Sequence, residues 1–264
     1  MRNKFPEHYA ETFDFEWRKF QKLQIDSYKQ LGSISERQMK SNLGLTESDI
    51  KGKKVLDVGC GTGRLIEICL KWGAKEVVGV DMIDPTFAKR HFKDNKNVRI
   101  YQADLNHLPF KEKFDVIFSL GVLHHTPDTK KSFENLLPYL DGGGIISIWL
   151  YEKRAIRYLF SEMWRKLTTR LPEETVYKIA LATDPILYPI YRIPLLGIFL
   201  RWVFPKNMNK VKDQRIWGFL DWYTPKYQWK HSRDEVRGWF QENNLKVVWI
   251  ADKIPVGVKG IKEI

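Results

Sequence analysis

Ten consecutive residues, Val55-Leu-Asp-Val-Gly-Cys-Gly-Thr-Gly-Arg64, carry the side-chain types that seat a nucleotide-like ligand. Gly59, Gly61 and Gly63 stand at alternate positions, which permits a tight turn and lets backbone N–H groups come close to a ligand. One acid, Asp57, lies inside the apolar run before them; a second, Asp81, ends the next run, Val77-Val-Gly-Val-Asp-Met82. A dinucleotide fingerprint would set its third glycine where Arg64 stands and has no need of Asp57, so the nicotinamide reading is weakened. Two further stretches hold groups able to do chemistry. Leu123-His-His-Thr-Pro-Asp128 presents a histidine pair, and the segment from Trp217 to His231 is dense in aromatics with a few polar ends. The cysteines, Cys60 and Cys69, have no Cys or His cluster beside them, so neither a zinc site nor a disulfide framework is expected.

The elements that must position these residues follow from periodicity. Short β-branched runs predict strands at Lys54 to Val58, Glu76 to Val80, Val98 to Gln102, Phe114 to Ser119 and Gly144 to Leu150. Helix-like stretches alternate with them, the pattern of a parallel sheet wound with helices on both faces. The first of those helices should begin near Thr62. Ser232 and Glu235 form a capping box that opens a helix to about Asn243, and Leu245 to Ala251 with Val256 to Ile261 read as a terminal hairpin completing the sheet. Residues 1–50 and 151–231 fall outside the alternation and read as mainly helical additions. Within the second, Pro185, Pro189, Pro194 and Pro205 should prevent one long helix. The expected division is an N-terminal lid (1–50), a binding core (51–150), a helical and aromatic substrate cap (151–231) and a C-terminal helix with hairpin (232–264).

On the glycine run, Asp57 and Asp81, the chain resembles the class I S-adenosylmethionine-dependent methyltransferases, the broad group that includes the ubiquinone and menaquinone biosynthesis enzymes. The resemblance implies an α/β, Rossmann-like seven-stranded sheet in the order 3-2-1-4-5-7-6, its seventh strand antiparallel. It further implies S-adenosylmethionine as cofactor, over the carboxyl ends of the first two strands. Carried over by position, Asp57 with Gly59, Gly61 and Gly63 would border the methionine part, and Asp81 would accept both ribose hydroxyls. Met82 would pack on the adenine, Asp104 would accept its amino group with Leu105 beside it, and Leu120, Gly121 and Val122 would wall the cofactor.

Methyl transfer from a sulfonium needs alignment, exclusion of water and, for a hydroxyl acceptor, a base. His124 and His125 are the candidates for that base, with a structural role for both as the alternative. Trp222, Tyr223, Tyr227 and His231 are the candidate substrate contacts, in a pattern similar to that of methyltransferases from polysaccharide and secondary-metabolite pathways. Trp17 is a candidate lid residue, with core packing as its alternative.

The net charge of +12 is concentrated after residue 150, where 21 basic face 12 acidic side chains, against 23 and 20 before it. Such a field suits polyanions without choosing among them. A small-molecule, glycan or lipid-linked acceptor, methylated on oxygen, is the favoured reading. RNA is the alternative, although no Asn/Asp-Pro-Pro-aromatic signature follows the fourth strand. Residues 151–215, with 13 basic and 6 acidic side chains among large apolar ones, suit either a membrane-peripheral surface or a helical cap whose apolar side faces the sheet. The opening residues show neither a secretory nor a transit pattern, so a cytoplasmic protein is expected. Oligomeric state is not legible.

Overall fold

Side chains on a strand alternate between faces, so each apolar run here must be covered on both sides. In the computed structural model, which describes residues 11–20, 34–153, 158–252 and 255–263, neighbouring residues of each strand enter different cores. Val55, Val77, Val116 and Phe118 face one apolar cluster; Leu56, Val78 and Ile117 face another. The strands are β1 (Lys54–Val58), β2 (Glu76–Asp81), β3 (Val98–Gln102), β4 (Phe114–Leu120), β5 (Leu140–Leu150), β6 (Leu245–Ile250) and β7 (Val256–Lys262). They form one sheet in the order β3-β2-β1-β4-β5-β7-β6, parallel except that β7 runs antiparallel to both β5 and β6. The order reverses between β1 and β4, which opens a crevice at their carboxyl ends, the place where open α/β sheets bind ligands.

Eleven helices accompany the sheet among the described residues: α1 (Glu11–Lys19), α2 (residues 34–43), α3 (Glu47–Ile50), α4 (Arg64–Lys71), α5 (Thr86–His91), α6 (Thr129–Glu134), α7 (Leu159–Thr168), α8 (Glu173–Ile190), α9 (Leu196–Val203), α10 (Lys212–Tyr223) and α11 (Arg233–Glu242). The capping box opens α11 as expected: the Ser232 hydroxyl accepts the Glu235 N–H at 3.1 Å. The first crossover helix starts at Arg64 rather than Thr62, because Gly63 takes a left-handed conformation that no helical residue adopts.

Within residues 1–50 the described elements pack in different places. Met39, Leu43 and Leu45 pack in the same cluster as Val55 and Ile66, so α2 belongs to the sheet, whereas α1 packs on the helical insertion. The insertion has a core of its own, in which Phe20 meets Val176, Ala180, Ile216, Phe219, Leu220 and Tyr223.

The proline expectation needs correcting in part. Pro185 and Pro189 lie inside α8, an 18-residue helix; the chain turns at Pro194, and Pro205 follows the end of α9. A proline φ near −65° fits a helix, and its cost is a lost hydrogen bond and crowding of the carbonyl one turn back. Here the middle of α8 is pinned by Asp184, fully buried, which binds Lys206 Nζ at 2.8 Å and Arg215 Nη2 at 2.6 Å. These two cations hold its carboxyl below the usual range. Asp184→Asn leaves both cations underground without a counter-charge, and breaking such a buried network costs about 3–5 kcal/mol. Chemical denaturation should show a loss of that size; a change below 1 kcal/mol would mean that the cluster does not hold the insertion together.

Candidate active site

At the end of β1 the chain makes its turn by glycine. Gly59 has φ +80°, and a Cβ there would collide with Val122 after β4; Gly63 has φ +84°, and a Cβ there would meet the Phe92 ring. The turn is tied to β2, since Gly59 N and Cys60 N donate to the Val80 carbonyl at 2.8 and 3.0 Å. Asp81, the last residue of β2, fastens it further, accepting from Gly61 N at 2.7 Å on Oδ2 and from Ile83 N at 3.0 Å on Oδ1. A carboxylate has about four lone-pair sites, so these backbone donors do not exhaust it.

Asp57 lies beneath this turn. It is buried, and its Oδ2 has no hydrogen-bond partner. Burial raises its carboxyl to about 8; Arg64 opposes the shift and the like charge of Asp81 adds to it. Around it one cavity is lined by Gly59, Asp81, Met82, Asp104, Leu105, Leu120 and Gly121 as well. Asp104 is oriented through Oδ1, which accepts from Asn106 N at 2.9 Å and Asn106 Nδ2 at 2.8 Å. Gly61 and Gly63 shape the turn without lining this cavity; Gly61 borders a neighbouring groove.

The far end of the cavity comes from residues that the sequence reading passed over. Phe13 and Glu16 of α1 and Trp217 and Asp221 of α10 close it, beside His125 and Thr126. Glu16 accepts the Thr224 hydroxyl at 3.1 Å, and Asp221 accepts the Tyr151 hydroxyl at 3.3 Å. Both carboxyls are pushed upward, Glu16 by burial and then by Asp221, and Asp221 by burial to about 6. The pair therefore holds protons more tightly than exposed acids would. The spacings 13/16 and 217/221 are helical, so each pair shares one helix face; read as a helix, the aromatic stretch would have pointed to them.

The histidines separate. They lie in a 3-10 turn, Leu123–His125, where consecutive side chains diverge by about 120°. Only His125 lines the cavity. Its Nδ1 is 2.8 Å from the Tyr227 carbonyl, so Nδ1–H donates and Nε2 keeps a lone pair. Burial lowers its ring to about 4, with the Tyr227 carbonyl opposing and Arg165 and Lys230 adding to the shift. His124 is fully buried against His125, Trp149 and Tyr151, and neither ring nitrogen has a hydrogen-bond partner. Without access to the cavity it cannot serve as the base.

The candidate substrate contacts are also placed elsewhere. Trp222 and Tyr223 lie about 100° and 200° around α10 from Asp221. Trp222 packs at a tilt against Tyr151 and Tyr158, and Tyr223 is buried in the insertion core with its hydroxyl on the Pro205 carbonyl at 2.8 Å. His231 is bound to Glu235 at 2.7 Å beside the α11 cap. Tyr227 contributes its backbone carbonyl to His125. The side chain of Trp17 lies outside the described residues.

A seven-stranded sheet in this order, with a glycine turn after β1 and acids within β1, at the end of β2 and just past β3, is that of a class I S-adenosylmethionine-dependent methyltransferase domain. Residues 56–148 match the family model described as Methyltransferase domain. A tRNA U34 carboxymethyltransferase of Campylobacter hominis is 35% identical over 146 residues, 53% of this chain and 45% of that one. A ubiquinone biosynthesis O-methyltransferase of Coxiella burnetii is 34% identical over 116 residues, 42% and 49% of the two chains. The chain thus spans about half the length of the curated relatives it matches. The crystal structure of a magnesium protoporphyrin IX methyltransferase from Synechocystis with bound S-adenosylhomocysteine superposes over 97% of this chain and 96% of that one, with TM-score 0.53 at 15% identity, a likeness of fold.

Proposed function

We propose that this protein methylates an oxygen atom of a small molecule or of a glycan- or lipid-linked intermediate, with S-adenosylmethionine as donor. The observation that carries the reading is one continuous cavity, with the glycine turn, Asp57, Asp81 and Asp104 at one end and His125, Glu16 and Asp221 at the other. The fit to the cofactor rests on the unpartnered Oδ2 of Asp57, which suits an ammonium group, and on the open lone pairs of Asp81, which suit a diol. When bound, S-adenosylmethionine supplies a methyl group on sulfur that is already a good leaving group. The remaining work falls to the chain. α1 and α10 exclude water, Glu16 and Asp221 offer acceptor and donor oxygens to a hydroxylated molecule, and His125 Nε2 takes the hydroxyl proton.

RNA is the second reading, favoured by the tRNA-modifying relative and the +12 charge. Against it, the residues at the acceptor end, Phe13, Glu16, His125, Trp217 and Asp221, include no lysine or arginine to pair with a phosphate. Labelled methyl transfer into a fractionated cell extract, with Asp81→Ala as control, tests the choice. Label in metabolite, glycan or lipid fractions supports the first reading; nuclease-sensitive label overturns it.

Asp57 adds a proton-linked prediction. Its carboxyl titrates at about 8 in the free cavity and must be ionised to hold an ammonium group. Below 8 the free form carries the proton and the bound form does not, so affinity should rise as pH climbs from 6 to 8. Calorimetry at pH 7 in buffers of different ionisation enthalpy should show close to one proton released per cofactor bound, and far less in Asp57→Asn. Equal release by both proteins would remove Asp57 from that role.

A further inference from the structure

The helical insertion does not turn all of its apolar side chains inward. On α9, Ile198, Phe199 and Trp202 recur at helical spacing (i, i+1, i+4) and point to solvent, Phe199 62% and Trp202 50% exposed, and Leu195, which caps the helix, is 80% exposed. The opposite side of α9 is the packed one: Gly197 abuts the Tyr191 backbone so closely that a Cβ would collide with it, and Leu200 and Val203 are half-buried. The neighbouring α7 repeats the arrangement. It is joined to α9 by Trp164 Nε1 on the Val203 carbonyl at 3.1 Å, and it exposes Phe160, Met163 and Leu167 at i, i+3 and i+7. Two adjacent helices thus turn apolar stripes to water, more than the scattered exposure of an ordinary surface.

Charge decides what fits there. Between Asp184 and Asp213 the chain has no acidic residue, while Arg192, Arg201, Lys210 and Lys212 are exposed. Lys166 and Arg170 are exposed on α7 and the turn after it. Lys206 is not part of this set, since Asp184 holds it underground. A short amphipathic helix with a tryptophan, large aliphatic side chains and basic neighbours suits the interface of an anionic bilayer. Neither helix can cross one: among the described residues none is long and apolar enough.

We propose that α7 and α9 form a docking face for an anionic phospholipid bilayer, on which the protein lies peripherally. The proposal does not depend on the acceptor or on methyl transfer. The test is flotation of the whole protein with vesicles of phosphatidylcholine, with and without 30% phosphatidylglycerol. The wild-type chain should float with the anionic vesicles, weakly with the neutral ones, and less as salt is raised. Phe199→Glu with Trp202→Glu should cut binding to anionic vesicles at least tenfold while leaving S-adenosylmethionine affinity unchanged, which shows that the variant is folded. Replacing Arg192 and Arg201 by Gln should weaken binding to the anionic vesicles alone. Absence of wild-type flotation, or equal flotation by the Glu variant, overturns the proposal. So does a wild-type dimer in solution that the Glu variant converts to monomer without any lipid binding, since the face would then be covered by a second copy.

Discussion

Asp81→Ala should lower affinity for S-adenosylmethionine at least a hundredfold and lower the stability of the unliganded protein as well. Two charge-assisted hydrogen bonds from a diol would be lost, each worth about 1.5–3 kcal/mol. Their sum of about 3–6 kcal/mol corresponds to a factor of roughly a hundred to ten thousand. The same carboxylate binds the N–H groups of Gly61 and Ile83, so its removal also frees the glycine turn that shapes the cavity. Asp81→Asn keeps one acceptor oxygen but turns an NH2 group toward a backbone donor, and should fall between wild type and Ala. Titration calorimetry with S-adenosylmethionine, beside thermal melts without it, measures both effects. Binding by Asp81→Ala within threefold of wild type would place the ribose elsewhere.

How much of this was legible beforehand divides along a physical line. All seven strands and the α11 cap were readable to within a few residues, because each depends on local pattern: alternation, a glycine turn, a serine three residues before a glutamate. Around the glycine turn the expectation came from the family resemblance, and the structure sets Asp57 inside β1, Asp81 at the end of β2 and Asp104 two residues past β3, all three lining one cavity. The acceptor end was not legible. Asp221 and Trp222 are neighbours in sequence, yet one lines the cavity and the other packs against Tyr151, and only the rotation of α10 decides between them. Glu16 enters through contact with Thr224, some two hundred residues away along the chain, which no local pattern encodes. Of the four prolines expected to break the insertion, Pro185 and Pro189 instead lie inside α8, beside a buried ionic cluster assembled from three separate segments that no local pattern encodes. For residues 151–215 the sequence left an outward and an inward apolar face as alternatives, and α7 and α9 turn theirs outward. Periodicity marks an amphipathic helix but not the direction in which its apolar side turns.

His125→Ala should reduce turnover by a hundredfold or more while S-adenosylmethionine affinity stays within about threefold, the usual range for loss of a general base. The Tyr227 carbonyl, by taking Nδ1–H, leaves Nε2 as the imidazole's only acceptor nitrogen, and that ring borders the cavity end opposite Asp57. His124→Ala is the matched control: it removes a ring packed between His125, Trp149 and Tyr151, so stability should fall while per-molecule turnover of the folded protein changes far less. The pH profile discriminates further. An exposed histidine would lose its lone pair near 6.5. His125, held at about 4 by burial, stays neutral and competent through pH 6, so turnover at saturating cofactor should fall only below about 5 if His125 is the base. Besides Asp57, Asp81 and Asp104 by the glycine turn, the titrating acids that line the cavity with His125 are Glu16 and Asp221, and Asp221 ionises at about 6. An acid limb near 6, with Asp221→Asn inactive and His125→Ala active, would therefore assign proton removal to the carboxylate and leave the histidine as part of the wall.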